Sequence, residues 1–166
     1  MTRLAVTRSS RRARGERGAV AVEFGLIAPL LMLMVFGILE FGYMMNRDML
    51  IGNASRDGAR NASLGATYQQ VCDAVKSELS SAGFPVPTSC ANGISSTSPT
   101  EIRICVQVAS TECTTRMTAS AFDAAVASGN TVGIKVTHTY SWITPVISQL
   151  FGGSTTLAQY TQMRVE

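Results

Sequence analysis

The chain has few charged residues. Asp, Glu, Lys and Arg make up 15% of its 166 residues, against roughly 25% in an average soluble domain. Hydrophobic residues reach 46%, and the mean hydropathy is +0.18. This composition argues against a disordered chain and against a fully soluble one. The length leaves room for one folded domain.

Residues that carry chemistry are also scarce. His138 is the single histidine, and it lies on the apolar side of an alternating pattern that predicts a strand, so we expect a core or interface histidine. No nucleophile motif lies near it, and no Gly-rich phosphate loop occurs. No two cysteines have the Cys-x2-Cys spacing of a zinc site. We therefore expect that the chain is not an enzyme and that it binds no metal ion and no cofactor.

The positive charge is concentrated at one end of the chain. Six arginines and Glu16 lie within residues 1–18, which gives this leader a net charge of +5 and leaves −2 for the remainder. A nucleic-acid-binding domain carries its basic side chains on a folded face. No nucleic-acid partner is expected.

An uncharged segment follows the leader. Phe24–Leu39 contains no charged residue, and with residues 19–22 the apolar stretch reaches about 31 Å as a helix, enough to cross a bilayer. Because arginines stay on the cytoplasmic side, we expect a single-pass inner-membrane protein. Residues 1–18 are then cytoplasmic, and the C-terminal head is exported to the periplasm or cell surface. A secretory signal peptide fits poorly, because the apolar run exceeds roughly 15 residues and no small-x-small site follows it.

Glu23 is a carboxylate within this apolar stretch. Near the centre of a membrane helix a carboxylate costs roughly 2.5–3.5 kcal/mol, and such residues usually have a partner and a function. A cut between Gly18 and Ala19 would make Glu23 the fifth residue and create an α-ammonium on Ala19, which Glu23 of a neighbouring copy could neutralise. A cut after Gly15 would instead put the apolar Val20 in fifth place. Of the two cuts, only the one after Gly18 places a carboxylate at the fifth position.

The residues around Gly18 resemble the processing site of type IV prepilins. Gly18 is followed by four small or branched residues, then by Glu23 and Phe24, and then by the apolar run. The wider pattern is similar to the TadE-like family of minor pilins (pseudopilins) of tight-adherence pili, with a close match over about residues 16–66. It is carried by residues 17–24, 28–31, 36–42 and 53–62.

The resemblance implies that a prepilin peptidase cleaves the chain after Gly18. It assigns Gly18, Ala19, Glu23 and Phe24 to processing, and it implies the membrane, other pilin or pseudopilin subunits and the pilus assembly machinery as partners. The head exceeds the short major pilins of these systems in size, so a minor role in pilus biogenesis or adhesion is expected. The alternative is an uncleaved single-pass envelope protein with a disulfide-bonded binding head.

Pro29 lies inside the apolar helix. A proline removes one backbone hydrogen bond and favours a kink, although membrane helices often tolerate it. We assign Pro29 to assembly together with Glu23. A functional kink and simple tolerance both remain open.

The helix is expected to continue beyond the membrane to residue 65. No strong breaker occurs between Phe41 and Gly65, and small residues recur three or four apart, a stripe that allows another helix to approach closely. The members of this stripe are Ser55, Gly58, Ala59, Ala62 and Ala66. The predicted segments are therefore a basic leader at 1–18, a transmembrane and extended helix at 19–65, and an exported head at 66–166.

The head is expected to be α+β. Apolar residues at helical spacing predict an amphipathic helix from Tyr68 to Leu79, and alternation predicts strands over 102–108 and 132–142. One helix packed on a small antiparallel sheet buries both apolar faces. Residues 117–128 predict a short helix, and 155–166 predict a last, irregular strand.

Four cysteines lie in the predicted head: Cys72, Cys90, Cys105 and Cys113. An even number outside the cytoplasm predicts two disulfides. Three pairings are possible, and sequence proximity favours Cys72 with Cys90 and Cys105 with Cys113.

Overall fold

The computed structural model describes residues 12–91, 98–107, 113, 116–127 and 129–166, with the side chains of residues 12–17 and 107 left undescribed. The chain divides into two compact units, of which the first ends at Leu39 and the second is Glu40–Glu166. Within the described ranges, the elements are α1 (Arg12–Ser63), α2 (Tyr68–Ser81), β1 (Thr100–Gln107), α3 (Ala119–Ala125), β2 (Thr131–Ser141), α4 (Pro145–Phe151) and β3 (Ser154–Arg164). A long apolar helix followed by a helix and a three-stranded antiparallel sheet confirms the predicted α+β class.

The first unit contains the apolar part of α1. Its large apolar side chains, such as Phe24 and Leu26, are exposed, and the most apolar window of the helix has no buried residue. The portion Gly18–Ser63 is long and apolar enough to cross a membrane. Pro29 lies inside α1 and does not end it.

The second unit is built on a sheet with the strand order β1-β2-β3. Both neighbours of β2 run antiparallel to it, with Ile104 opposite Ile134 on one side and Thr161 opposite Ile134 on the other. The β2–β3 pairing extends to Ser141 opposite Ser154. The last strand, which the sequence analysis predicts to be irregular, is instead regular and pairs with the whole of the central strand.

The small-residue stripe of α1 packs into the core of this unit. Ser55, Ala59 and Ala62 are buried. A Cβ atom added at Gly58 would lie less than 3.0 Å from the side chain of Val75 in α2, so α1 and α2 approach as closely as the stripe predicts. The facing core residues are Val71, Val75 and Leu79 of α2 with Ile102, Ile134 and Val136 of the sheet.

Local signals set most element boundaries. The hydroxyl of Thr67 accepts from the backbone of Gln70, and the side chain of Gln70 accepts from the backbone of Thr67 at 2.9 Å, a capping box that begins α2. The short helix predicted within 117–128 is α3. The sequence did not predict α4, which buries none of its residues and so has no core-facing apolar stripe.

Two disulfides join the cysteines in the pairs that sequence proximity favours. Cys72 in α2 is bonded to Cys90, and Cys105 in β1 is bonded to Cys113, with a Cα–Cα distance of 5.9 Å in each pair. The first pair ties α2 to the segment that precedes β1.

Candidate functional site

The predicted processing residues form an open segment of α1. Gly18, Ala19, Glu23 and Phe24 are all exposed, and a Cβ atom added at Gly18 would meet nothing within 4 Å. No hydrogen-bond or ion-pair partner of the Glu23 carboxylate is found in the described part of the chain.

Pro29 lies six residues beyond Glu23 on the same helix. It is exposed, and because proline has no backbone N–H, the carbonyl of Gly25 lacks its usual helical donor. The two positions that we assign to assembly therefore place the Glu23 carboxylate and the Gly25 carbonyl in the apolar part of α1.

Glu40, which sequence reasoning did not single out, is the centre of a polar site in the second unit. It is only 4% exposed. Its Oε1 accepts hydrogen bonds from the Tyr140 hydroxyl at 2.7 Å and from the Ile143 N–H at 2.8 Å. Its Oε2 accepts from both the backbone N–H and the hydroxyl of Thr144, each at 3.0 Å. Four donors occupy the acceptor capacity of one ionised carboxylate.

The donors come from the turn that joins β2 to α4. Tyr140 is near the end of β2, Thr144 is the N-cap residue of α4, and Pro145 follows at the first helical position, where its missing N–H is not needed. Burial and the nearby Glu40 carboxylate raise the pKa of Tyr140 above its ordinary value of 10.0. The Tyr140 hydroxyl therefore remains protonated and donates.

Arg47 makes a second link between α1 and the rest of the unit. Its guanidinium lies 4.5 Å from the ring centre of Phe84 and 5.0 Å from that of Tyr43, and it donates to the Ala82 carbonyl at 3.2 Å. These cation–π contacts and hydrogen bonds fix α1 against the end of α2.

His138 is buried, as its place on the apolar side of the strand predicts. Its Nδ1 lies 3.0 Å from the Thr100 hydroxyl, and its ring meets that of Phe84 edge to face at 4.8 Å. Burial and the nearby Arg47 lower the pKa of His138. His138, Arg47 and Tyr140 are among the residues that line a surface cleft of about 300 Å³.

Glu101 is a further buried carboxylate, and it carries an ion-pair cluster. Arg103 Nε lies 2.7 Å and Arg116 Nη2 lies 2.6 Å from its Oε1. Burial works to raise the pKa of Glu101, but the hydrogen bonds from the two arginines outweigh it and hold the pKa below the ordinary 4.5. Across the described ranges, no three His, Cys, Asp or Glu side chains are grouped so that they could hold a metal ion.

The Glu40 site has no local sequence signal. A single glutamate between an apolar run and Phe41 has the pattern of a membrane boundary, and Tyr140, Ile143 and Thr144 lie a hundred or more residues further along the chain. Only the tertiary fold brings them together.

The described chain combines a helix that is long and apolar enough to cross a membrane with a small α+β unit. Residues 18–60 match the family model described as TadE-like protein. This segment of the chain is TadE-like, which confirms the resemblance drawn from the sequence, and it includes Glu23, Pro29 and Glu40. No curated protein and no solved structure matches the chain significantly.

Proposed function

We propose that the chain is a minor pilin or pseudopilin of a tight-adherence (Flp-type) pilus, cleaved by a prepilin peptidase and acting in pilus biogenesis or adhesion. One observation carries the proposal: the TadE-like match begins at Gly18, and the fifth residue after it is the exposed Glu23, which has no partner among the described side chains. TadE-like pilus proteins are structural and not enzymes. The chain is then the substrate of the peptidase.

The proposed location is the inner membrane. Residues 1–18 form the cytoplasmic leader, 19–65 the transmembrane and extended helix, and 66–166 the exported head. The Gly18–Ser63 portion of α1 is long and apolar enough for the crossing. Two disulfides in the head fit an oxidising compartment.

Processing changes the charge at the end of the helix. The leader carries +5, and each arginine at membrane depth costs several kcal/mol, so an uncut chain is held in the membrane. After the cut only the α-ammonium of Ala19 remains. Glu23 of a neighbouring subunit lies on an open helix surface and supplies the counter-charge.

The cleavage step is tested by substituting Gly18 with leucine. In cells with an active prepilin peptidase, the wild-type chain and the Gly15→Leu control should begin at Ala19 on N-terminal sequencing. Gly18→Leu should yield only the full-length species and no pili. If the wild-type chain kept its Met1 terminus, the chain would instead be an uncleaved single-pass envelope protein. Normal pili from uncut Gly18→Leu would refute the role of cleavage.

The assembly step is tested by substituting Glu23 with glutamine. The change keeps the size and removes the charge, so cleavage should persist while crosslinking to other pilin subunits is lost. Glu16→Gln is the matched control, because the leader and its substitution are removed together. Complete processing with wild-type crosslinking of Glu23→Gln would show that the charge pair does not drive assembly.

A further inference from the structure

The surface cleft of about 300 Å³ lies entirely within the second unit. This volume is at the lower end of the range for ligand sites, so the cleft has room for a short segment of chain. Its walls combine a cation, aromatic rings, prolines and the end of a strand. They include Tyr43 and Arg47 of α1, Pro85 and Pro99 from the connection between α2 and β1, and Ser141 and Ile143 at the end of β2.

Arg47 brings a positive charge to this cleft. No ion pair joins it to a carboxylate of the described chain. Its Nε and Nη2 donate to the Tyr43 hydroxyl, and its Nη1 donates to the carbonyls of Ala82 and Gly83. These neutral acceptors fix the guanidinium and leave at least one of its five N–H donors unused. The Glu40 carboxylate is only 4% exposed and already has four donors, so an anion from outside is the fitting partner for Arg47.

The end of β2 presents a strand edge to the same cleft. The N–H of Thr139 donates to the carbonyl of Pro99 at 2.8 Å, so Thr139 directs its backbone groups toward the side of β1. Because this direction alternates along a strand, Ser141 directs its N–H and C=O to that side as well. The strand β1 begins at Thr100, opposite His138, and no described backbone group pairs with Ser141 on that side. An extended peptide can therefore add to the sheet at Ser141.

We propose that the cleft binds an extended segment of a partner protein that carries a carboxylate. The carboxylate, which is a chain terminus or the side chain of Asp or Glu, accepts a charge-assisted hydrogen bond from Arg47. A neighbouring residue of the segment exchanges backbone hydrogen bonds with Ser141. Its side chains contact the apolar wall, where Ile143 is 64% and Tyr43 40% exposed. The proposal concerns the second unit alone and uses neither cleavage nor Glu23.

The test uses mixtures of acetylated tetrapeptides without Lys or Arg as probes, so that no partner sequence has to be known. The first mixture ends in a free carboxylate and contains no Asp or Glu. The second is amidated and carries one Asp or Glu, and the third is amidated and neutral. Each mixture is passed over the immobilised full chain in mild detergent at about 0.15 M salt, which screens long-range attraction. The retained fraction is measured by mass spectrometry.

The arginines of the leader also attract acidic peptides, so the comparison between variants decides the result. We expect the wild-type chain to retain an acidic mixture about fivefold or more over the neutral one, because charge-assisted hydrogen bonds are the stronger ones. Arg56→Gln is the matched control and should keep this ratio, since Arg56 is an exposed arginine of the same helix that bonds the side chain of Asn53. Arg47→Gln should lower the ratio markedly.

A second pair of variants tests the strand edge without a change of charge. Ser141→Pro removes the backbone donor and should weaken retention of the acidic mixture, whereas Ser141→Ala should keep it. The fluorescence of Trp142 during urea unfolding shows which variants are folded, and Ser141→Pro decides the result if Arg47→Gln is not.

A preference for the first mixture assigns the site to a chain terminus, and a preference for the second assigns it to an acidic side chain. Equal retention of all three mixtures by the wild type would overturn the proposal. An acid preference that stays unchanged in folded Arg47→Gln or Ser141→Pro would overturn it as well. Either result leaves the proposed function intact, since cleavage after Gly18 and the contact of Glu23 do not involve the cleft.

Discussion

Replacing Glu40 with glutamine tests the hydrogen-bonded carboxylate of the second unit. The glutamine keeps the shape of the side chain but turns one acceptor oxygen into an NH2 group, which accepts nothing. Either the Tyr140 and Ile143 donors or the two Thr144 donors then lose their acceptor. In both cases at least one backbone N–H is left without a partner.

The expected loss of stability follows from the number of hydrogen bonds that the substitution removes. Hydrogen bonds to charged groups contribute roughly 1.5–3 kcal/mol each, and a buried donor left unsatisfied costs about 1–3 kcal/mol. Because the bonds to the remaining oxygen persist, we expect Glu40→Gln to lower the free energy of unfolding by about 2–4 kcal/mol.

Trp142 is the natural probe for this measurement. It is the only tryptophan, and its ring meets that of Tyr140 edge to face at 5.6 Å, so urea unfolding of the full chain in mild detergent can be followed by its fluorescence. Asp48→Asn is the matched control, because it removes the same charge from the same helix. It affects one hydrogen bond, which Gln159 Nε2 donates to Asp48 at 2.8 Å. That control should lose about 1 kcal/mol or less. A loss for Glu40→Gln no larger than the control's would refute the reasoning.

Two further predictions concern packing and pH. Gly58→Ala drives a methyl group into Val75 and should lower the free energy of unfolding in urea by about 1–3 kcal/mol. Gly42→Ala, at an open position of the same helix, should not destabilise the chain. Equal effects of the two substitutions would contradict the close approach of α1 and α2. The pKa of Glu101 is lower in the folded chain than its ordinary 4.5, so its stabilising contribution is complete above that value and is lost as the pH falls through the lower folded value. Glu101→Gln should flatten the acid side of a plot of melting temperature against pH, and a curve parallel to that of the wild type would contradict this.

The elements that the sequence predicts are those with a long period or a local capping signal. Large side chains alternate with small or polar ones from Val132 to Tyr140 in β2, and the Thr67 capping box marks the start of α2. The small-residue stripe around Gly58 is visible in the sequence, and Val75 of α2 packs against it. In each case a few neighbouring residues hold the whole pattern, so no knowledge of the tertiary fold is needed.

The remaining features depend on residues far apart in the chain. Glu40 and Tyr140 are separated by 100 positions, and no period or spacing connects them. The helix α4 is seven residues long and buries none of them, so its apolar residues carry no core pattern that could be recognised. The ion pair of Glu101 with Arg116 joins residues 15 apart across a connection between elements. Polar pairs of this kind are formed by the tertiary fold, and no local sequence pattern predicts them.

The two glutamates at either end of the apolar run differ in what their own chain gives them. Glu40 has four donors from β2 and the start of α4, so its acceptor capacity is filled and little remains for another subunit. Glu23 is exposed, and the described chain offers its carboxylate no donor. A carboxylate without a partner in a membrane costs roughly 2.5–3.5 kcal/mol, comparable to one or two charged hydrogen bonds of the kind that hold Glu40. An outside cation would therefore stabilise the Glu23 carboxylate of the proposed membrane helix, whereas the Glu40 carboxylate already has its donors within the chain, and this difference is why we propose the intermolecular contact for Glu23 and not for Glu40.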